Sequence, residues 1–321
     1  MSSLVVLSDI HYAGPAEAAR GSRESSAISN PLLRVAVKLF RDYIWLRNPT
    51  GQNGLLDEFF SLAGTPDLVV SNGDYSCDSG FVGVTHPAAF ESAFICLTKL
   101  RKQFGQQFEP VQGDHEIGKL SLFGGNGGLR FESFRRTVED LGVSPTWTRR
   151  LGKYVLIGVP STVLAFPVFQ SESLPNEVER WTGVRRRILN ELSETLAGLG
   201  SKERIIFFCH DPTAIPFLAE IPAVQQRLDQ IEATIIGHLH SPLVFWKSRM
   251  LAGMPAIHFL GNSVRRYSSA LNRGKSWKVF KVTLCPSLAG IELLKDGGFL
   301  KLDLDQTING CATIQKVSIK R

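Results

Sequence analysis

Gly113-Asp114-His115-Glu116 crowds two carboxylates and an imidazole into three consecutive positions behind a glycine, with Gly118 close after them. The segment follows the apolar-ended Phe108-Glu109-Pro110-Val111-Gln112. A glycine lets the backbone turn sharply at the end of a strand, so the side chains after it can point into a shared site. Four further stretches repeat the pattern: Asp9-Ile10-His11, Gly73-Asp74, His210 and Gly237-His238-Leu239-His240. These follow apolar runs at residues 4–7, 68–70, 205–209 and 233–236, each short enough to read as a buried strand. Strand after strand delivering Asp or His at its end implies a metal centre along one edge of a sheet.

The chain between these points alternates strands and helices. Amphipathic patterns predict helices over 54–63, 88–104, 131–141 and 177–199, and further strands over 154–159, 256–260, 276–284 and 290–294, followed by a tail of alternating residues. Strand–helix alternation is the signature of an α/β fold. With no repeat, low-complexity block or linker, residues 1–321 read as a single domain. An insertion at about 12–64 interrupts it and carries an amphipathic helix over 31–47. Asn30 is a capping residue, Pro31 suits the first helical position, and Asn48-Pro49-Thr50-Gly51 stops the helix. On a helical wheel Arg34, Lys38, Arg41 and Asp42 form a narrow stripe, while Leu32, Leu33, Ala36, Leu39, Phe40, Tyr43 and Ile44 fill the broad face. Such a pattern suits a helix lying in a membrane interface, or one packed on its own domain with a solvated stripe. It interrupts the interval between two proposed metal-binding strand ends, where an insertion can overhang the site as a lid.

Composition excludes more than it assigns. With 43% hydrophobic residues in 321, the chain has an ordinary globular core, and a net charge of +6 is compatible with anionic partners without choosing among them. Five cysteines, an odd number with no C-x-x-C, argue against a disulfide framework and a thiolate zinc site. No window approaches the roughly 18 apolar residues of a membrane span, and residues 4–7 are too short for a signal-peptide core. The expectation is a cytoplasmic protein, at the inner face of the cytoplasmic membrane if the 31–47 helix lies there. The glycine-rich 122–130 segment lacks the Lys-Ser/Thr of a phosphate-binding loop and reads as a flexible loop near the site. Arg185-Arg186-Arg187 reads as a solvated helix face, His86 as a loop residue, and His258 as a structural histidine on a strand.

Asp9, His11, Asp74, Asp114, His210, His238 and His240 offer three carboxylates and four imidazoles. Oxygen and nitrogen ligands without sulfur suit Mn²⁺ first, then Fe or Zn²⁺. Seven ligands exceed what one tetrahedral ion needs, so two divalent ions sharing a bridging carboxylate are expected.

The ordered set D-x-H, G-D, G-D-H-E, a lone H and G-H-x-H, running from Asp9 to His240, resembles the calcineurin-like metallophosphoesterase superfamily. The resemblance implies a four-layer αββα sandwich, here with a helical insertion. It also implies a dinuclear, metal-dependent phosphohydrolase in which metal-activated hydroxide attacks phosphorus in line. Asp9, His11 and His240 would hold one ion, Asp114, His210 and His238 the other, and Asp74 would bridge. His115 would touch the scissile phosphate and Glu116 would orient its ring. The superfamily's usual residue at position 114 is Asn, so Asp114 adds a negative charge beside the second ion.

Substrate is set by insertions on this fold. The lid favours a phosphorylated or pyrophosphate substrate with an acyl part, and the chain resembles, more loosely, the UDP-2,3-diacylglucosamine pyrophosphatases of lipid A synthesis, peripheral membrane enzymes that act on a nucleotide-linked glycolipid. Their best-known branch usually has Arg where His115 stands. The alternatives are a phosphodiesterase or nuclease acting on nucleotides or DNA, and a non-catalytic scaffold, which the full ligand set disfavours.

Overall fold

The structure, a computed structural model, describes residues 1–21, 28–121, 125–255, 268 and 271–319. Strand β1 (Ser2–Leu7) sorts its side chains between two cores. Leu4 and Val6 face one, and Val5 and Leu7 face the other, as the two-residue period of a strand requires. A strand apolar on both faces sits in the middle of a covered sheet. Accordingly β1 pairs in parallel with β2 (Leu68–Ser71), which pairs in parallel with β3 (Phe108–Pro110).

A second five-stranded sheet runs β4 (Trp147–Leu151), β5 (Tyr154–Val159), β6 (Arg204–Cys209), β7 (Ile231–Ile236), β8 (Val282–Leu284) in that spatial order, with β5 through β8 parallel. The first sheet is completed by β9 (Gly298–Leu304), antiparallel to β1, and β10 (Ala312–Ser318) at the edge. Leu4, Val6, Val70, Leu156, Phe208 and Ile235 form the apolar layer between the sheets. Outside the first sheet lie the helices Gly54–Ala63 and Pro87–Phe104, whose Phe59, Ala93, Leu97, Leu100 and Phe104 recur at helical spacing and bury against it. Outside the second, Val178–Ala197 buries Trp181, Val184, Ile188, Leu192 and Leu196. These are the four layers, αββα, expected from the sequence.

The expected lid begins as an α-helix at Pro31–Phe40, with Asn30 accepting from Leu32 N and Leu33 N, and continues as a π-helical turn over Arg41–Trp45. Its broad face is not packed inward: of the ten α-helical residues only Val37 is buried, and Leu32 is 81% exposed. Two members of the basic stripe leave it. Arg34 donates to Ile28 O, and Arg41 turns into the wall of a cavity.

Three expectations change. Residues 276–284 are not one strand: Ser276–Val279 is helical and only Val282–Leu284 pairs. Their alternation imitates a strand, but Trp277 and Phe280, three apart, are the buried pair while Val279 is exposed. Residues 290–294 form a turn in place of a strand, because Gly290 has φ 63° and Ile291 N donates to the Asp296 carboxylate. Trp147–Leu151, with its run of Arg, pairs as an edge strand that hydrophobic patterning missed. The expected strand at 256–260, with His258, lies outside the described residues, as do residues 122–124 of the glycine-rich loop. His86 caps the Pro87–Phe104 helix, its Nδ1 accepting from Ala88 N.

Candidate metal centre

Because β1–β3 run in parallel, and β5–β7 likewise, all their C-terminal ends open on one edge of the sandwich, where ligands of α/β sheets bind. Asp9 and His11 follow β1, Asp74 follows β2, Asp114 follows β3, His210 follows β6, and His238 and His240 follow β7. Ligand-type atoms of Asp9, His11 and His240 lie within 4.8 Å of one another, as do those of Asp114, His210 and His238, of Asp9, Asp74 and His210, and of His11, Asp74 and His115. All seven sequence-predicted residues therefore meet, with Asp74 between the two groups.

The approach of these atoms is that of ligands around ions. His210 Nε2 is 3.3 Å from Asp74 Oδ1 and 3.3 Å from Asp114 Oδ1, and His240 Nε2 is 3.4 Å from Asp9 Oδ1. Ligands on bonds of about 2.1 Å in a tetrahedron stand about 3.4 Å apart. His11 Nδ1 faces Ser76 O at 3.3 Å and His210 Nδ1 faces Asn72 O at 2.7 Å. A carbonyl only accepts, so each Nδ1 carries the proton and each Nε2 presents a lone pair to the site. Those two Nε2 atoms are buried and make no hydrogen bond. Buried polar atoms lacking such partners are costly unless something else satisfies them, and a cation does. The donor set thus fits two divalent ions.

The backbone is bent to bring them there. Asp9, His11, Asp74, His238 and His240 all have φ between 49° and 64°. Non-glycine residues in the left-handed region cost about 1–3 kcal/mol each and cluster at functional sites. The motif glycines act by lacking a side chain. Gly113 has the extended backbone φ −96°, ψ −179°, which any residue adopts. A Cβ there would stand 2.2 Å from Asp74 Oδ1, and one on Gly73 would stand 2.7 Å from Gly113 Cα. The expected sharp turn at Gly113 is replaced by close approach of two ligand loops.

Glu116 is also corrected. Its carboxylate accepts from Gly113 N (2.9 Å), Asp74 N (3.1 Å) and Tyr75 N (2.7 Å), clamping two ligand loops together. His115 is held instead by Ser76 O, 2.9 Å from its Nδ1. Burial, then the charge of Asp74, pushes Glu116 up to about 8. Burial pushes His11 down to about 4 and His240 to about 3, keeping both imidazoles neutral as cation ligands must be. His210 and His238 move the other way. Burial would lower them, but the carboxylates of Asp74 and Asp114 beside His210, and of Asp211 and Asp114 beside His238, pull them up. In return Asp74, which burial alone would raise, is held below its ordinary range by the imidazoles of His115 and His210, positive charge that bound cations would replace.

Residues not singled out from sequence complete the frame. Asn72 Nδ2 donates to Cys209 O and Ile235 O, joining the two sheets at the site. Ser8 Oγ donates to Asp9 Oδ2 at 2.6 Å, and Asp211 Oδ2 lies 3.8 Å from His238 Nε2. A cavity of about 390 Å³ has His11, Asp74, Asp114, His238 and His240 in its wall and Trp45, Leu46, Leu120, Val244 and Trp277 beyond them.

The sequence matches the family model described as calcineurin-like phosphoesterase over residues 2–242. The chain belongs to the calcineurin-like phosphoesterase family. It is a metal-dependent phosphohydrolase with a dinuclear metal site. Residues 243–321 lie beyond the match and supply β8, β9 and β10, which extend both sheets of this phosphoesterase. Among solved structures it is similar to a dimetal phosphatase from Danio rerio, at 14% identity and TM-score 0.48, over 98% of this chain and 95% of that one. A phosphopantetheinyl hydrolase from Mycobacterium tuberculosis is similar over 74% of this chain and 83% of that one, at 14% identity and TM-score 0.34. No curated protein is similar enough to match.

Proposed function

We propose that the phosphoesterase cleaves an amphiphilic phosphoester or pyrophosphate, and that UDP-2,3-diacylglucosamine is the first substrate to test. The observation behind this reading is the continuity of the cavity. Its polar wall is the candidate metal centre, and its apolar wall begins at once with Trp45, whose ring lies 5.2 Å from that of His240. Trp45 ends the lid segment, stacking with Phe40 at 6.3 Å, and Leu32, Val35, Leu39 and Tyr43 continue the apolar surface outward. A helix with this much exposed apolar side chain and interspersed Arg and Lys suits an anionic membrane surface, which would place the reaction at the inner face of the cytoplasmic membrane.

In this reading Asp9, His11 and His240 would hold one ion, Asp114, His210 and His238 the other, and Asp74 would serve both. Divalent ions, Mn²⁺ by choice of ligands, supply Lewis-acid activation of water and neutralise charge on the phosphoryl oxygens. Asn72 and Ser76 fix the ring orientations through their carbonyls, and Glu116 locks the Asp74 loop to the Gly113 loop. His115, its ring held by Ser76 O, would border the phosphate in the cavity wall. Trp45 and Leu46 exclude water from the lipid side.

The test is turnover by the purified, Mn²⁺-loaded protein of UDP-2,3-diacylglucosamine beside bis-p-nitrophenyl phosphate. Preference for the lipid in kcat/KM, lost on truncating Trp45 to Ala, supports the reading. Turnover of the generic ester alone leaves the hydrolase and sinks the lipid, sending the search to nucleotides and nucleic acid. The exposed apolar lid is a poor surface for tracking phosphates along a strand.

A further inference from the structure

We propose that Lys119 binds the substrate's phosphoryl group, donating from its ammonium to a non-bridging oxygen. The inference rests on the hydrolase reading and adds to it a cation from the protein. Lys119 follows the short helix Asp114–Ile117, and its side chain returns one turn to the site. Its Nζ contacts His115 Nε2 and lies 3.8 Å from Asp114 Oδ2, with the side chain 26% exposed in the cavity wall.

Hydrogen-bond roles at this corner assign the donor. The carbonyl of Ser76 takes the proton of His115 Nδ1, so in the neutral ring Nε2 offers a lone pair. A lone pair does not attract an anionic phosphoryl oxygen. The ammonium beside it does, with three donors and a full charge. Asp114 sharpens the need, because its negative charge faces the same space and would otherwise repel the substrate.

The glycine-rich segment after residue 124 finds its use here. Gly118, at φ 97°, ends the helix, and a Cβ on it would stand 2.5 Å from Gly128 O. Gly128 N donates to Lys119 O at 3.1 Å, and Leu120 bridges to Gly127. A Cβ on Gly127 would meet Phe81 O at 2.2 Å and Lys119 O at 2.8 Å. The loop pins the backbone of the lysine, so its side chain starts from a fixed point beside the cavity.

The experiment is calorimetric titration of inorganic phosphate into the Mn²⁺-loaded protein, with Mn content measured on each sample. Losing a charge-assisted hydrogen bond costs about 1.5–3 kcal/mol, so Lys119→Met and Lys119→Gln are expected to weaken phosphate binding ~10- to 100-fold at unchanged Mn content. Lys119→Arg keeps the charge and is expected to stay near the unsubstituted protein, and Gly127→Ala to weaken binding by displacing the lysine. Unaltered phosphate affinity in both neutral variants overturns the proposal. So does a loss of affinity that tracks lost Mn and is restored by adding Asp114→Asn, since Lys119 would then only offset that carboxylate. If the unsubstituted protein binds no phosphate with Mn²⁺ present, the phosphoryl subsite at Lys119 is overturned, while turnover of bis-p-nitrophenyl phosphate reports on the hydrolase separately.

Discussion

The cradle at the sheet edge and the rim around it are built on opposite rules. In the cradle Asp9, Asp74, Asp114 and His210 are almost wholly buried, Asp9 and Asp74 take left-handed backbone, and carbonyls of the loop after β2 set the ring orientations of His11 and His210. In the rim, Leu32, Tyr43, Trp246 and Met250 are more than half exposed. Among the described residues, Trp45 brings the rim's aromatic surface against the cradle at His240, and its segment is tied down where Glu292 N donates to Trp45 O at 2.7 Å. The difference teaches where each property can change. Strain and burial fix the chemistry, and a loosely packed surface leaves the choice of substrate free to vary.

The sharpest way to break this division is to remove the carboxylate shared by both halves of the cradle. Asp74→Ala is expected to abolish turnover of bis-p-nitrophenyl phosphate by ~10³-fold or more, since Lewis-acid stabilisation is worth several kcal/mol and each 1.36 kcal/mol is tenfold. Mn content should fall with it. Chelation by EDTA should do the same to the unsubstituted protein, reversibly on adding Mn²⁺, and leave vesicle binding by the rim intact. Full activity after exhaustive chelation would remove the cradle from the mechanism.

A methyl group tests whether the two ligand loops need to touch. Gly113→Ala has no conformational reason to fail, since its backbone is already extended, but its Cβ would strike Asp74 Oδ1. The expected outcome is a loss of metal affinity of about 10–100-fold, as for other displaced ligand supports, together with about 1–3 kcal/mol of stability from overpacking. Metal titration and thermal melts measure the two. Wild-type values for both would mean that the loops part without consequence.

Glu116→Gln asks a finer question. As a clamp on three backbone N–H groups, the carboxylate contributes through stability: replacing it leaves a donor group facing donors, at a cost of about 1–3 kcal/mol. A lowered melting temperature with the hydrolytic pH profile unmoved is the expected pair of results. A shifted profile at unchanged stability would return Glu116 to the role of orienting His115.

That correction marks the limit of what the sequence discloses. The seven candidate ligands were legible because Asp and His placed after apolar runs have few other reasons to recur. The layers were legible because strands apolar on both faces, such as residues 4–7, must be covered twice. Glu116 was misassigned because proximity in sequence favoured its neighbour, whereas its partners belong to a loop some forty residues earlier. Ser76 escaped notice because it acts through its main-chain carbonyl, which every residue has, and Asn72 because its amide reaches strands far away in sequence. The left-handed angles at Asp9 and His238 escape notice because Asp and His, though enriched there, seldom adopt them, and Trp277 and Phe280 sit in a pattern that alternates like a strand while packing like a helix.

The smallest effect belongs to the rim, and it separates the two regions most cleanly. Leu32 and Leu39 touch neither cavity nor core. Leu32→Asp with Leu39→Asp should leave turnover of a soluble ester within about twofold, as exposed substitutions change stability by less than about 0.5 kcal/mol. Binding to vesicles of anionic phospholipid should nevertheless fall, because each acidic residue removes apolar area and repels the headgroups that Lys38 and its neighbours attract. Sedimentation with such vesicles reads this directly. If the double variant sediments as the unsubstituted protein does, the exposed face of Pro31–Phe40 is no membrane contact. The apolar wall around Trp45 would then have to select substrate from solution.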